Sequence, residues 1–303
     1  MRLRVPTICL ILLLVVTSFA WAGFFEEGLQ AYDAGDFGKA YSLWLSAAKQ
    51  GSVVAVYNIG TMYDKGQGVP QNSKRAVSLY QLAAEKGYVK AQYNLGVRYK
   101  EGQGVPQDYN EAVKWLRLAA EQGHASGQYL LGAMCCNGKG VLQDYKEAAK
   151  WLRLAAEQGH ASGQYLLGAM YCNGKGVLQD YKEAAKWLRL AAEQGHAGGQ
   201  HILGTMYCNG KGVPQDYKEA AKWFRLAAEQ GDAKAQLNLG FLYIQGLGVT
   251  QSNIDAYAWW VVSAANNNQK AHENMKAAQG QLSPSEIEKG QRRAKEIWER
   301  INK

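Results

Sequence analysis

The chain has 303 residues and lacks the features that would divide it or point to an evident chemistry. It holds only five prolines, and no proline- and serine-rich stretch interrupts it, so nothing marks a linker between separately folded parts. No basic run is interleaved with stacking aromatics. Lysine and arginine are spread among glutamates, as at Lys182, Lys186 and Arg189, which is the pattern of a solvated face and not of a nucleic-acid footprint. The expected partners therefore include no nucleic acid, although the formal charge is +8. The apolar run Ile8 to Val16 is too short for the roughly 20 residues of a membrane span. Gly174-Lys175-Gly176 lacks the frame of a phosphate-binding loop, and no motif calls for a cofactor.

What the chain does have is repetition. Gly123 to Gln158 matches Gly159 to Gln194 at every position except one, where Cys135 stands against Tyr171. Glycines at 51, 87, 123, 159, 195 and 231 mark copies in unbroken 36-residue register. A period in that range is the signature of a stacked array, so the expected fold class is all-α: an α/α superhelical solenoid of helix–turn–helix repeats.

One copy shows why. Gly163, Leu167, Met170 and Tyr171 fall on one helical face, and the run after Cys172 ends that helix, since glycine supplies the left-handed turn of a helix end. Asp180 with Glu183 then reads as a capping box opening a second helix, as do Asp108/Glu111, Asp144/Glu147 and Asp216/Glu219. Gly168 sits in the middle of the first helix, where glycine costs about 1 kcal/mol relative to alanine; close approach of another helix is the reason to keep it. The Ala191-Ala192 pair is expected to admit the helix of the next copy.

The pattern of alanine, Leu-Gly, Met-Tyr, Gly-Lys-Gly-Val, Asp, Lys-Glu-Ala, Trp and Ala-Ala closely resembles the Sel-1-like repeat family, relatives of the tetratricopeptide repeats. The resemblance implies a non-enzymatic adaptor or scaffold. It covers six copies over 51–266 (51–86, 87–122, 123–158, 159–194, 195–230 and 231–266), preceded by a degenerate capping copy at 23–50 and followed by capping helices at 267–303. In that last part Ser283, Pro284 and Glu286 form a clear helix start.

Residues 1–22 read as a secretory signal peptide: Arg2 and Arg4, then the apolar run, then Ala20-Trp21-Ala22 with the cut after Ala22. The mature protein is expected in the periplasm or medium, with no stable membrane span, and no cysteine follows the cut to carry a lipid anchor. Four cysteines would remain, Cys135, Cys136, Cys172 and Cys208. Equivalent positions on stacked helices lie on the order of 10 Å apart, beyond the roughly 7 Å that a disulfide allows, so free thiols are expected. The secreted cysteine-rich branch of the family pairs one cysteine from each helix of a copy, and here the second helices have none.

For binding, a helical wheel places Ser162, Tyr165, Ala169 and Cys172 opposite the apolar face. Stacking the copies makes a ladder of Tyr57, Tyr93, Tyr129, Tyr165 and His201, beside Cys136, Cys172 and Cys208. In helical-repeat relatives the first helices line a concave surface, so these residues are the expected groove for a peptide or protein partner, tyrosine giving large contact area at low entropy cost. A metal site is not expected, because His160 and Cys172 stand 12 residues apart on one helix, about 18 Å at 1.5 Å per residue. The alternative function is a cell-envelope enzyme acting on β-lactams or peptidoglycan peptides. Its one thread is Ser46-Ala47-Ala48-Lys49, a Ser-x-x-Lys pattern without the Ser-Asp-Asn or Lys-Thr-Gly that such chemistry also requires.

Overall fold

A computed structural model describes residues 22–302. The expected signal peptide, apart from Ala22, lies outside the described residues. The described residues form two compact units, one ending at Gln143 and the other beginning at Asp144. The sequence suggested one uninterrupted array; the division falls in the loop ahead of residue 144, where no linker composition marks it. A stack in which each helix touches only its neighbours has no single shared core, so composition has no reason to change at such a boundary.

In the first unit the helices are α1 (22–33), α2 (Phe37–Lys49), α3 (Val53–Lys65), α4 (Ser73–Glu85), α5 (Val89–Glu101), α6 (Tyr109–Glu121) and α7 (Ala125–Asn137). The second holds α8 (Tyr145–Glu157), α9 (Ala161–Asn173), α10 (Tyr181–Glu193), α11 (Ala197–Asn209), α12 (Tyr217–Glu229), α13 (Ala233–Gln245), α14 (Asn253–Ala265), α15 (Gln269–Gln279) and α16 (Pro284–Ile301). No strand occurs among the described residues. Within each unit, successive helices pack pairwise, and in the second α15 and α16 both pack on α14. The fold is an all-α solenoid of 36-residue helix pairs.

The small residues are explained by what a side chain would strike. A Cβ on Gly168 would lie 2.7 Å from Leu188 of the paired helix, and one on Gly240 would lie 2.4 Å from Trp260. Gly199 faces Ala191 at 3.1 Å, which is the close seating of α11 on α10 that the alanine pair permits. Gly176 is at φ +69°, and its Cβ would meet the carbonyl oxygen of Tyr145 at 2.0 Å. The Gly-Lys-Gly loop thus lies on the start of the preceding second helix. Lys175 adds a cation–π contact over the Tyr145 ring at 5.2 Å, and Lys211 does the same over Tyr181.

The capping boxes are corrected in one respect. Asp180 accepts from the amides of Lys182 and Glu183, as a cap should. The glutamates at 111, 147 and 219, however, accept the indole N–H of Trp115, Trp151 and Trp223 one turn on. A half-buried indole needs an acceptor, and a carboxylate four residues earlier lies on its own face. The reciprocal box does form at Ser283 and Glu286, opening α16.

A chain of glutamines ties the stack together. Buried Gln200 donates to the Ala192 carbonyl at 3.0 Å and accepts from Gln230 at 2.8 Å. Gln164 and Gln236 repeat this with Ala156 and Ala228, paired with Gln194 and Asn266. Each buried amide joins three helices while leaving its own polar atoms satisfied.

Candidate functional site

The expected ladder sits on the first helices: Tyr57 on α3, Tyr93 on α5, Tyr129 on α7, Tyr165 on α9 and His201 on α11. All five are half-buried. The wheel placed them opposite the core, but a first helix in a stack touches its own partner helix and both neighbouring repeats, which widens its buried arc. Tyr165 and Cys172 both pack against the buried cluster of Ala184, Leu188 and Met206.

Their aromatic faces are engaged along the stack. Tyr93 stacks on His124 with centroids 4.5 Å apart, and Tyr165 stacks on His196 at the same distance. Each histidine is the N-cap of a first helix: His160 Nδ1 accepts from the Gly163 amide at 3.2 Å, and His196 Nδ1 from that of Gly199. Accepting there requires the neutral ring protonated at Nε2. Burial pushes the His160 and His196 imidazoles below their ordinary pKa, which favours that form. Tyr57 packs edge-on against Tyr88 at 5.0 Å, and its hydroxyl accepts from Asn94. His201 contacts Asn238 in the corresponding way, at 3.3 Å. Burial lowers its pKa as well.

The four cysteines among the described residues are thiols and form no disulfide. Cys135 is fully buried; Cys136, Cys172 and Cys208 are half-buried. Burial raises the Cys172 thiol, and pushes that of Cys208 up to about 11. Their backbones are held by a loop glutamine: Gln143, Gln179 and Gln215 donate to the carbonyls of Cys136, Cys172 and Cys208, each at 2.7 Å. These bonds close the last turn of each first helix, where carbonyls would otherwise lack partners. Among the described residues, no group of three or more His, Cys, Asp or Glu is placed to hold a metal ion. No described helix is long and apolar enough to cross a membrane.

Ser46 donates to the Ser42 carbonyl at 3.0 Å, one turn back in α2. Lys49 follows at the helix end, lining a cavity with apolar walls. The hydroxyl proton is therefore directed at a backbone carbonyl and not at a general base.

The second helices carry a surface that sequence reasoning passed over. Leu118, Leu154, Leu190 and Leu226 recur in register and are 38–43% exposed. Beside them Arg189 and Arg225 donate to the hydroxyls of Tyr207 and Tyr243 at 2.7 Å, and Arg153 makes the same bond to Tyr171. A cavity of about 490 Å³ lies between Lys146, Lys150, Arg153 and Leu154 on α8 and Val177 of the following loop. A related one of about 350 Å³ lies between Lys218, Lys222, Arg225 and Leu226 on α12 and Val249. The signal for them was an apolar residue recurring on the charged side of the second helix.

The Sel1 repeat model matches seven stretches: 19–52, 53–88, 89–124, 125–160, 161–196, 197–232 and 233–268. Among solved structures, a Sel1 repeat protein from Oxalobacter formigenes is 34% identical, with a TM-score of 0.71 over 79% of this chain and 96% of its own. A protective antigen present in uropathogenic Escherichia coli strains, displaying an SLR fold, is 30% identical, with a TM-score of 0.65 over 93% of this chain and 69% of its own. No curated protein matches the chain.

Proposed function

The chain belongs to the Sel1 repeat family, and on that premise we propose that it is an exported, non-enzymatic scaffold whose first-helix face holds a peptide or protein partner. Sel1 repeats generally act as protein–protein interaction scaffolds, and stacked repeats offer extended surfaces for that purpose. The observation that carries the reading is a half-exposed aromatic ring recurring at one register position of the first helices: Tyr57, Tyr93 and Tyr129 on α3, α5 and α7 in the first unit, then Tyr165 and His201 on α9 and α11 in the second. A partner would meet the ring edges left open by the stacking, with Cys136, Cys172 and Cys208 alongside. Export is supported by Arg2 and Arg4 ahead of Ile8–Val16 and by Ala20-Trp21-Ala22.

The test is crosslinked affinity capture from envelope and medium fractions, comparing the wild type with a Tyr129→Ala/Tyr165→Ala variant whose helicity is checked by circular dichroism. A protein retained by the wild type and lost by the folded variant supports the surface. Equal capture by both moves the site elsewhere.

A further inference from the structure

The first two repeats depart from their successors at positions that converge on one cavity. Lys49 stands where later copies carry glutamate at 85, 121, 157, 193 and 229, and Arg75 where they carry it at 111, 147, 183 and 219. Leu79 replaces the tryptophan found at 115, 151, 187 and 223. Val56 replaces the buried glutamine of the ladder, found at 92, 128, 164, 200 and 236. All four line a cavity of about 460 Å³ between α2, α3 and α4 in the first unit, walled also by Leu45 and Ile59. That volume is within the usual range for ligand sites, as is a largely apolar wall with a few placed polar groups.

Each departure contributes to the cavity. Leucine at 79 leaves open the space that a tryptophan side chain would take, and valine at 56 removes an amide that would need partners. The polar end is organised. Arg75 Nη1 donates to the Tyr63 hydroxyl at 3.1 Å, with the guanidinium over that ring at 5.3 Å, and the Tyr41 and Tyr63 hydroxyls are 3.2 Å apart. No acidic side chain lines the cavity, and neither Lys49 nor Arg75 forms an ion pair with a described residue. Two unneutralised cations at the mouth of an apolar cavity complement an apolar group that bears a carboxylate within a few bonds.

We propose that this cavity binds the C-terminus of a partner polypeptide ending in a large apolar residue, the side chain entering between Leu45, Val56 and Leu79 and the terminal carboxylate meeting Arg75 and Lys49. A single C-terminal residue supplies both an apolar side chain and a carboxylate, which an internal segment does only through two side chains. The site is separate from the first-helix ladder, so it stands or falls independently of the scaffold surface proposed above.

The test is methyl NMR of the full chain, titrated with the peptide N-acetyl-Gly-Gly-Leu-Phe, with its C-terminal amide, and with laurate. The free-acid peptide should shift the methyl signals of Leu45, Val56 and Leu79 saturably, leaving those of Leu154 and Leu190 in place. The amide, and the free acid on Arg75→Glu, should bind at least tenfold more weakly. Leu79→Trp should abolish the shifts, and Tyr129→Ala/Tyr165→Ala should leave them unchanged. Arg75→Glu and Leu79→Trp restore residue types that the later repeats already fold with; Lys49→Glu serves as a second charge variant. The proposal is overturned if millimolar free acid gives no saturable shift, if acid and amide bind alike, or if laurate binds where the peptide does not.

Discussion

The Tyr165 ring lies on the His196 imidazole with centroids 4.5 Å apart and planes 23° from parallel. Tyr165 was expected on an open binding face; with His196 it forms part of the contact between two repeats. His196 also caps α11 through Nδ1, so a single ring serves both helix end and stack.

Acid should loosen this arrangement. The folded His160 and His196 have pKa values below the ordinary 6.5, chiefly through burial, whereas in the unfolded chain they titrate near that value. The unfolded state then binds more protons as the pH falls, so the contribution is complete above 6.5 and is lost as the pH drops through the depressed folded values. Tm measured from pH 7.5 to 5 should fall on the acid side. A His160→Asn/His196→Asn variant, in which asparagine still caps, should show a smaller fall. An identical acid response would remove the histidines from the account.

Two glycine substitutions should separate conformational strain from collision. Gly159 at φ +85° has nothing within 4 Å of a built Cβ, so Gly159→Ala should cost about 1 kcal/mol through backbone strain alone. Gly176→Ala adds contact with the Tyr145 carbonyl and should cost clearly more. Urea unfolding of the two variants gives the comparison. Equal losses would mean that the loop can move away from α8.

The glutamine ladder predicts a destabilisation that burial of apolar surface does not capture. Gln200→Leu would remove the side-chain donor to the Ala192 carbonyl, which keeps the backbone amide of Gly195, and would remove the acceptor of Gln230, at a cost of about 1 kcal/mol. A double-mutant cycle with Gln230→Ala should show the two residues coupled, because they share one bond. Additive losses would assign the effect to volume and not to the hydrogen bonds.

Half-exposure of Cys208 should not make it reactive. With its pKa pushed up to about 11 by burial, little thiolate exists at neutral pH, and the thiolate is the nucleophile. Alkylation of the native protein at pH 7.5 should therefore run at least about tenfold slower at Cys208 than for free cysteine, and reach the free rate in denaturant. Rapid native labelling, read by mass spectrometry, would show the thiol more hydrated than its packing implies.

The period, the alternation of helices and their ends were determined by the sequence alone, because each rests on local rules. Helical spacing carried Gly163, Leu167 and Tyr171 onto one side, Gly174 ended the helix at φ +65°, and Asp180 opened the next. The mid-helix Gly168 could be read as a point of close approach, since its local cost demanded a packing reason. The wheel could not show which surface remained open, because a helix wheel knows one helix and a stack surrounds each helix on several sides. Only tertiary structure set Tyr165 against His196 and turned Glu219 from a cap towards Trp223. It also gathered Lys49, Val56, Arg75 and Leu79, scattered over three helices, around one cavity. Those positions are far apart in the chain and their pairing is decided by how α2, α3 and α4 seat on one another, which no local propensity specifies.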